Sequence, residues 1–308
     1  MQLRWIQQKD IDKEKWDKTI AESRNQMIYG FSWFLDAACP GWCAIIAGDY
    51  EYLFPVKGKR KLGIPYFYMP LFVQQLGVYS TSKVSAEICE LFLEKLTSKF
   101  KAIEVYLNYS NFTVKEDIKL SRRIGQWIDL KQGYETIKSG YSTNLTRNLK
   151  KAINHQVTIA EESDPRAIRK LFEEGRGLLL GEIKKQDYIR LESILLALQQ
   201  NTSTKIFVAR DAQHEIVAGG FFAQSQNRVI YIKGGVTNAG KELNAMHLLV
   251  DYAILHYSRE GVEIFDFGGS VAEPLIRFNR NFGGIDYTYY CFRYNKLPKT
   301  IEFFKKVF

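Results

Sequence analysis

Asp266 stands at the end of an apolar, strand-like run, Glu263–Phe267, and is followed by Gly268, Gly269 and Ser270. A carboxylate at the end of a buried strand loses solvent, which raises its pKa toward the range where it can take up a proton. Glu273 follows in the next loop and offers a second carboxylate, acting directly or through a water. Tyr287, Tyr289 and Tyr290 crowd the last strand and could supply the matching acid. Which of them does so is left open, since aromatic residues in such a strand also serve a core. Asp266 also has a structural alternative: pairing with Arg277 or capping the glycine turn. Glu273, ahead of Pro274, also suits the first turn of a helix.

A second group of residues suits an anion. Tyr231-Ile-Lys-Gly-Gly235 ends a strand in two glycines, and a polar loop leads from there into a helix. Glycines at a strand end allow a ligand to approach the backbone or mark a bulge. The start of a helix offers free N–H groups and the positive end of its dipole, which fits a diphosphate. The backbone around Val236, Asn238, Gly240 and Lys241, with Asn244 and Ala245, supplies those donors. Lys233 either points toward an anionic substrate or forms the polar side of a half-buried strand. Gly240 is alternatively a simple turn glycine.

These residues need a scaffold of strand, helix and strand. The pattern predicts Arg228–Lys233 and Glu263–Phe267 as strands around a helix over roughly Leu243–Tyr257, a βαβ unit with parallel strands. Strands over Lys205–Arg210 and Glu215–Gln226 join Arg228–Gly235 in a meander. Upstream lie a strand at Gln156–Ala160, a helix opened by Pro165, and a helix over Lys185–Gln199. Asp286–Tyr294 reads as a last strand, and Pro298–Phe308 as a basic helix.

The first part of the chain has a similar order. Leu3–Gln7 is a strand, and Asp10 is placed to cap a helix over Ile11–Asn25. Trp42–Ala47 and Tyr50–Lys57 are strands, with Lys57–Lys61 as a lysine-rich hairpin tip. A helix spans Glu87–Phe100, and strands follow at Ile103–Leu107 and Ile124–Leu130. Between the two parts, Thr136–Ala160 lacks acidic residues. Ser142 or Asn144 can cap a short helix showing Arg147, Lys150 and Lys151 near one side. Such a helix either touches the phosphates of a bulky substrate or is simply solvated.

The 308 residues suit two domains, and 46% hydrophobic with 25% charged residues is ordinary for a globular protein. A net charge of +9 suits an anionic partner (cofactor phosphates, tRNA or an acidic membrane surface) or a solubilising surface excess of lysine, and by itself does not choose between them. The polar N-terminus and the absence of a long apolar run predict a cytoplasmic protein without a transmembrane span. Cys39, Cys43, Cys89 and Cys291 lack zinc-like spacing, so reduced thiols and no metal are expected. His247 and Asp251, four residues apart on one helix, form a possible pair. No nucleophile elbow or P-loop is present.

The stretches YIKGG (231–235), AGKELNAM (239–246), DFGGS (266–270) and RFNRNFGG (277–284) resemble the C-terminal half of a GNAT acyltransferase domain of the tandem, Fem-type branch. TRNLKKA (146–152) and QQLGVYS (74–80) extend the resemblance toward the N-terminus. It implies an α/β (α+β) fold of two tandem GNAT-like domains, each a mixed, splayed sheet flanked by helices, the first copy degenerate. The implied boundaries are 1–132, a basic linker helix at 133–155, and 156–308 with the active site. The implied activity is N-acyl transfer from acyl-CoA to a small-molecule or peptide amine by direct attack, with Asp266 or Glu273 as base. Lys233, Gly268, Ser270, Arg277, Phe278, Arg147 and Lys150 would contact substrate. The loop Asn238-Ala-Gly-Lys241 only partly matches the CoA-binding pattern (Gln/Arg)-x-x-Gly-x-(Gly/Ala). Fem-type enzymes lack that loop and use aminoacyl-tRNA, which is the alternative donor. A catalytically inactive binding module is a third expectation.

Overall fold

A computed structural model describes residues 1–115, 118, 120–177, 183–269 and 272–297. The expected helix over Pro298–Phe308 and the candidate Ser270 lie outside these residues. The chain forms two compact units, Met1–Arg123 with the chain from Thr288 onward, and Ile124–Tyr287.

The first unit contains β1 (Leu3–Gln7), α1 (Lys13–Glu22), α2 (Ser32–Ala38), β2 (Cys43–Ala47), β3 (Tyr52–Val56), β4 (Gly58–Lys61), β5 (Ile64–Tyr68), β6 (Tyr79–Ser80), α3 (Ala86–Lys99) and β7 (Ala102–Tyr106). One antiparallel sheet runs β1-β2-β3-β6. Elsewhere β4 pairs antiparallel with β5, and β5 parallel with β7. Residues 8–10 form a 3-10 turn, so the cap of α1 is Asp12 rather than Asp10, its side chain accepting from the Lys15 amide at 3.1 Å. The basic run is strand β4 instead of a hairpin tip. The turn falls at Leu62-Gly63, both with positive φ, as a two-residue hairpin turn requires. All four cysteines are buried and free.

The unit boundary falls inside β8 (Leu120–Asp129) and, at the far end of the chain, inside β14 (Ile285–Asn295). The second unit also holds α4 (Tyr134–Ser139), α5 (Thr143–Asn154), β9 (Thr158–Glu162), α6 (Arg166–Phe172), α7 (Lys185–Asn201), β10 (Ser203–Arg210), β11 (Ile216–Ser225) and β12 (Arg228–Val236). After these come α8 (Asn238–Glu242), α9 (Ala245–Arg259), β13 (Ile264–Gly269) and α10 (Glu273–Asn281). Its sheet runs β8-β13-β12-β11-β10-β9, with β12 and β13 parallel and the other neighbours antiparallel. Ser142 caps α5, its hydroxyl accepting from the Leu145 amide at 3.1 Å. The helix buries Leu145, Leu149 and Ala152 and leaves Arg147, Lys150 and Lys151 exposed.

Helix α9 carries Leu249, Val250, Ala253, Ile254 and Tyr257 on one buried stripe, in a core with Phe207, Phe222 and Phe265. Truncating one of these phenylalanines to alanine costs about 3–5 kcal/mol in a core of this kind. Helix α6 covers the other face, where Leu171 lies against Gly235. Among the described residues no helix is long and apolar enough to cross a membrane.

Candidate functional site at the fork of β12 and β13

The parallel pair β12 and β13 shares three register positions, Arg228 with Ile264, Val229 with Phe265 and Ile230 with Asp266. Beyond them the strands part, and β13 follows β8 instead, with a register shift between Asp266 and Gly269. Gly268 occupies this irregularity at φ +70°, a conformation that penalises a side chain.

Asp266 sits where the strands part. It is buried, and Oδ2 accepts from Arg228 Nη1 at 2.7 Å while Oδ1 accepts from the Gly268 amide at 2.9 Å. The Tyr287 hydroxyl also bonds to it. Burial pushes its pKa up, and Arg228, the Gly268 amide and Tyr287 pull it back. Trp127 lies under the Arg228 guanidinium, 5.2 Å from ring centre to Cζ, and stacks on Tyr287 at 5.1 Å. Arg277 is thus not the partner of Asp266. It pairs with Glu273 at 3.3 Å on the exposed side of α10.

The loop after β12 is more structured than the sequence predicts. Thr237 Oγ1 accepts from the Gly240 amide at 3.0 Å and caps the short helix α8. A Cβ on Gly240 would meet the Val217 carbonyl oxygen at 2.2 Å, so the glycine is needed for packing against β11. Lys241 Nζ bonds the Asn238 side chain at 3.0 Å, and both residues are exposed. Asn244, at φ +56°, turns the chain into α9. The first amides of α9, from Ala245 and Met246, have no acceptor within the helix. Val236 pairs with Ala218 at the end of β12.

A one-residue bulge decides which side chains of β12 share a face. Phe222 pairs with Tyr231 and Phe221 with Lys233, leaving Ile232 between them. Tyr231 therefore stacks on Phe222, 5.0 Å between centroids, on the face covered by α9. Its hydroxyl lies 3.3 Å from the Met246 sulfur and fills the space above Gly234. Lys233 lies on the other face, with Nζ 4.1 Å from the Phe172 ring centre.

Three helices meet at His247, in the first turn of α9. Its ring centre is 5.0 Å from that of Phe278 on α10, and Nε2 is 3.4 Å from Asn148 Nδ2 on α5. Nδ1 is buried and makes no hydrogen bond. Burial lowers the pKa of the ring, the nearby Asn244 backbone opposing this. The expected pairing with Asp251 does not form, because that carboxylate accepts from Tyr141 at 2.8 Å and Tyr134 at 3.0 Å. Helix α10 is held by the buried Asn279, which donates to Gln126 at 3.0 Å. Its last residue, Asn281, is joined to Ser142 at 3.0 Å.

The fold thus brings Asp266, Gly268, Tyr231, His247, Phe278 and the start of α9 to the parting strands and the helices that follow them. Glu273 and Arg277 are at the surface, and Lys233 is on the opposite face. Sequence reasoning missed Tyr231, Arg228, Asn148 and His247 as members of the site. The available signal was their position, beside or inside stretches singled out for other residues. Among the described residues, no group of three or more His, Cys, Asp or Glu is placed to hold a metal ion.

The family model described as an acetyltransferase (GNAT) domain matches residues 140–275. No protein with a curated description matches the chain. Among solved structures, FemX is 12% identical over 94% of this chain and 97% of its own, at a TM-score of 0.65. L-PGS from Bacillus licheniformis is 13% identical over 92% of each chain, at 0.57. A tandem GNAT protein from the clavulanic acid biosynthesis pathway is 13% identical over 95% of this chain and 98% of its own, at 0.53. The mixed sheet that splays between β12 and β13 belongs to the same fold. Residues 140–275 thus match an acetyltransferase (GNAT) domain, and the chain as a whole shares its fold with FemX and with a tandem GNAT protein.

Proposed function

We propose that the protein is an N-acyltransferase that moves an acyl group from CoA to the amine of a small molecule or peptide by direct attack. The observation that carries this reading is the parting of β12 from β13 within the region that matches the GNAT domain, beside the N-terminus of α9, which no side chain caps. The amine nitrogen attacks the thioester carbonyl, the C–N bond forms, and the C–S bond breaks to release CoA thiolate. The N-terminal amides of α9 suit the diphosphate, whereas the Gly240, Lys241 and Asn244 amides, expected to contribute, are bonded within the loop. Asp266, already engaged by Arg228 and the Gly268 amide, is assigned to holding the fork rather than to proton transfer. Calorimetric titration with acetyl-CoA at two salt concentrations tests the donor. Micromolar, salt-tolerant binding is expected, and absence of heat would remove acetyl-CoA as donor.

A second reading has its own support. Helix α5 displays Arg147, Lys150 and Lys151 to solvent without an ion pair among the described residues. A Fem-type transferase using aminoacyl-tRNA, with a cell-wall or peptide amine as acceptor, would use such cations on phosphates. Steeply salt-dependent tRNA binding is its signature.

A further inference from the structure

We infer that His247 is the group that takes the proton from the attacking amine, an assignment that rests on the acyl-transfer reading above. The Asn148 amide nitrogen is a donor only, so the ring nitrogen opposite it, Nε2, is the one with the lone pair, and the proton resides on Nδ1. Nδ1 is enclosed and makes no hydrogen bond, so it is not the nitrogen that exchanges with substrate. Nε2 is the nitrogen that remains. At 3.4 Å its contact with Asn148 is long, and an amine N–H can replace it at little cost.

The surroundings favour a neutral ring. The charged groups on the helices packed around it are directed elsewhere: Arg147, Lys150 and Lys151 on α5 and Glu273, Arg277 and Arg280 on α10 are exposed. On α9 itself, Asp251 is taken by Tyr134 and Tyr141. Burial therefore acts on His247 without a compensating carboxylate, and the imidazole is available as a base near neutral pH. Phe278 packs against one side of the ring, 5.0 Å between centroids. In the step itself the amine nitrogen bonds to the acyl carbon, its proton moves to Nε2, and the C–S bond breaks. The departing CoA thiolate then takes a proton back from the imidazolium.

The test follows CoA release from acetyl-CoA with a panel of primary amines, in the parent protein and in His247→Gln, alongside acetyl-CoA binding by calorimetry. The expected result is retained binding, a fall in kcat/KM of about 100-fold or more, and loss of the acidic limb of the pH profile in the variant. Equal rates and an unchanged pH profile, with binding retained, would overturn the assignment while leaving the acyltransferase reading intact. Absence of acetyl-CoA binding to the parent would overturn both. As an independent measurement, ring titration of His247 in the parent by nuclear magnetic resonance should give a midpoint that coincides with the acidic limb. A midpoint away from that limb would reject the proposal even if the variant does not fold.

Discussion

Arg228 and Asp266 form a buried ion pair, with Nη1 2.7 Å from Oδ2 and side-chain exposures of 10% and 1%. The pair ties the start of β12 to the residue of β13 at which the two strands part. An apolar pair could fill the same space, but it would not bind the Gly268 amide that turns β13 aside.

Removing one partner leaves the other charge buried and alone. Asp266→Ala should therefore destabilise the protein by about 3–5 kcal/mol, and Arg228→Met by a similar amount. The double variant Arg228→Met/Asp266→Leu should recover much of that loss in urea unfolding. An additive double variant would show that the two side chains act separately.

Gly240 tests whether the loop after β12 depends on its contact with β11. A Cβ there meets a backbone oxygen, which has little freedom to yield. Gly240→Ala should cost about 1–3 kcal/mol and weaken acetyl-CoA binding. Unchanged thermal stability and affinity would mean that the loop adjusts freely.

His247 should leave a mark on stability as well as on rate. Its folded pKa lies below the ordinary value, so between the two the unfolded chain binds more protons. Stability from this group is full above about pH 6.5 and is lost as pH falls through that value toward the folded pKa. Chemical unfolding of the parent should become easier over that window, and His247→Gln should reduce the slope. An identical pH dependence in both proteins would mean that folding does not lower the pKa of this ring.

Charge reversal on α5 separates the two donors. Arg147→Glu/Lys150→Glu should leave folding intact, since both residues are exposed. If aminoacyl-tRNA is the donor, the variant should bind tRNA more weakly and with a shallower salt slope. Acetyl-CoA binding that is unaffected by the double substitution would place its phosphates away from α5.

The order of elements was legible in the chain because it rests on local patterns. The strand at 228–236, the helices beyond it and the strand at 264–269 follow from periodicity and glycine placement, although boundaries moved by a few residues. Ser142 was legible as a cap for the same reason. The short helix α8 in the stretch read as a polar loop was not, because it depends on the Thr237 cap, on the left-handed Asn244 that separates it from α9 and on Val217 from another strand.

Partner choice was beyond the reach of local pattern. Asp266 had Arg277 nearby in sequence, yet the register of β12 against β13 delivers Arg228, 38 residues away. The bulge at Ile232 reverses the strict alternation of a strand, sending Tyr231 to the α9 face and Lys233 to the other. His247 is a common helix residue until α5 and α10 enclose it. The sequence by itself determined which segments become strands and helices and where glycine must stand, since those depend on neighbours along the chain. Only the tertiary structure decided which side chains meet at the fork, because register, bulge and helix packing bring distant residues within bonding distance.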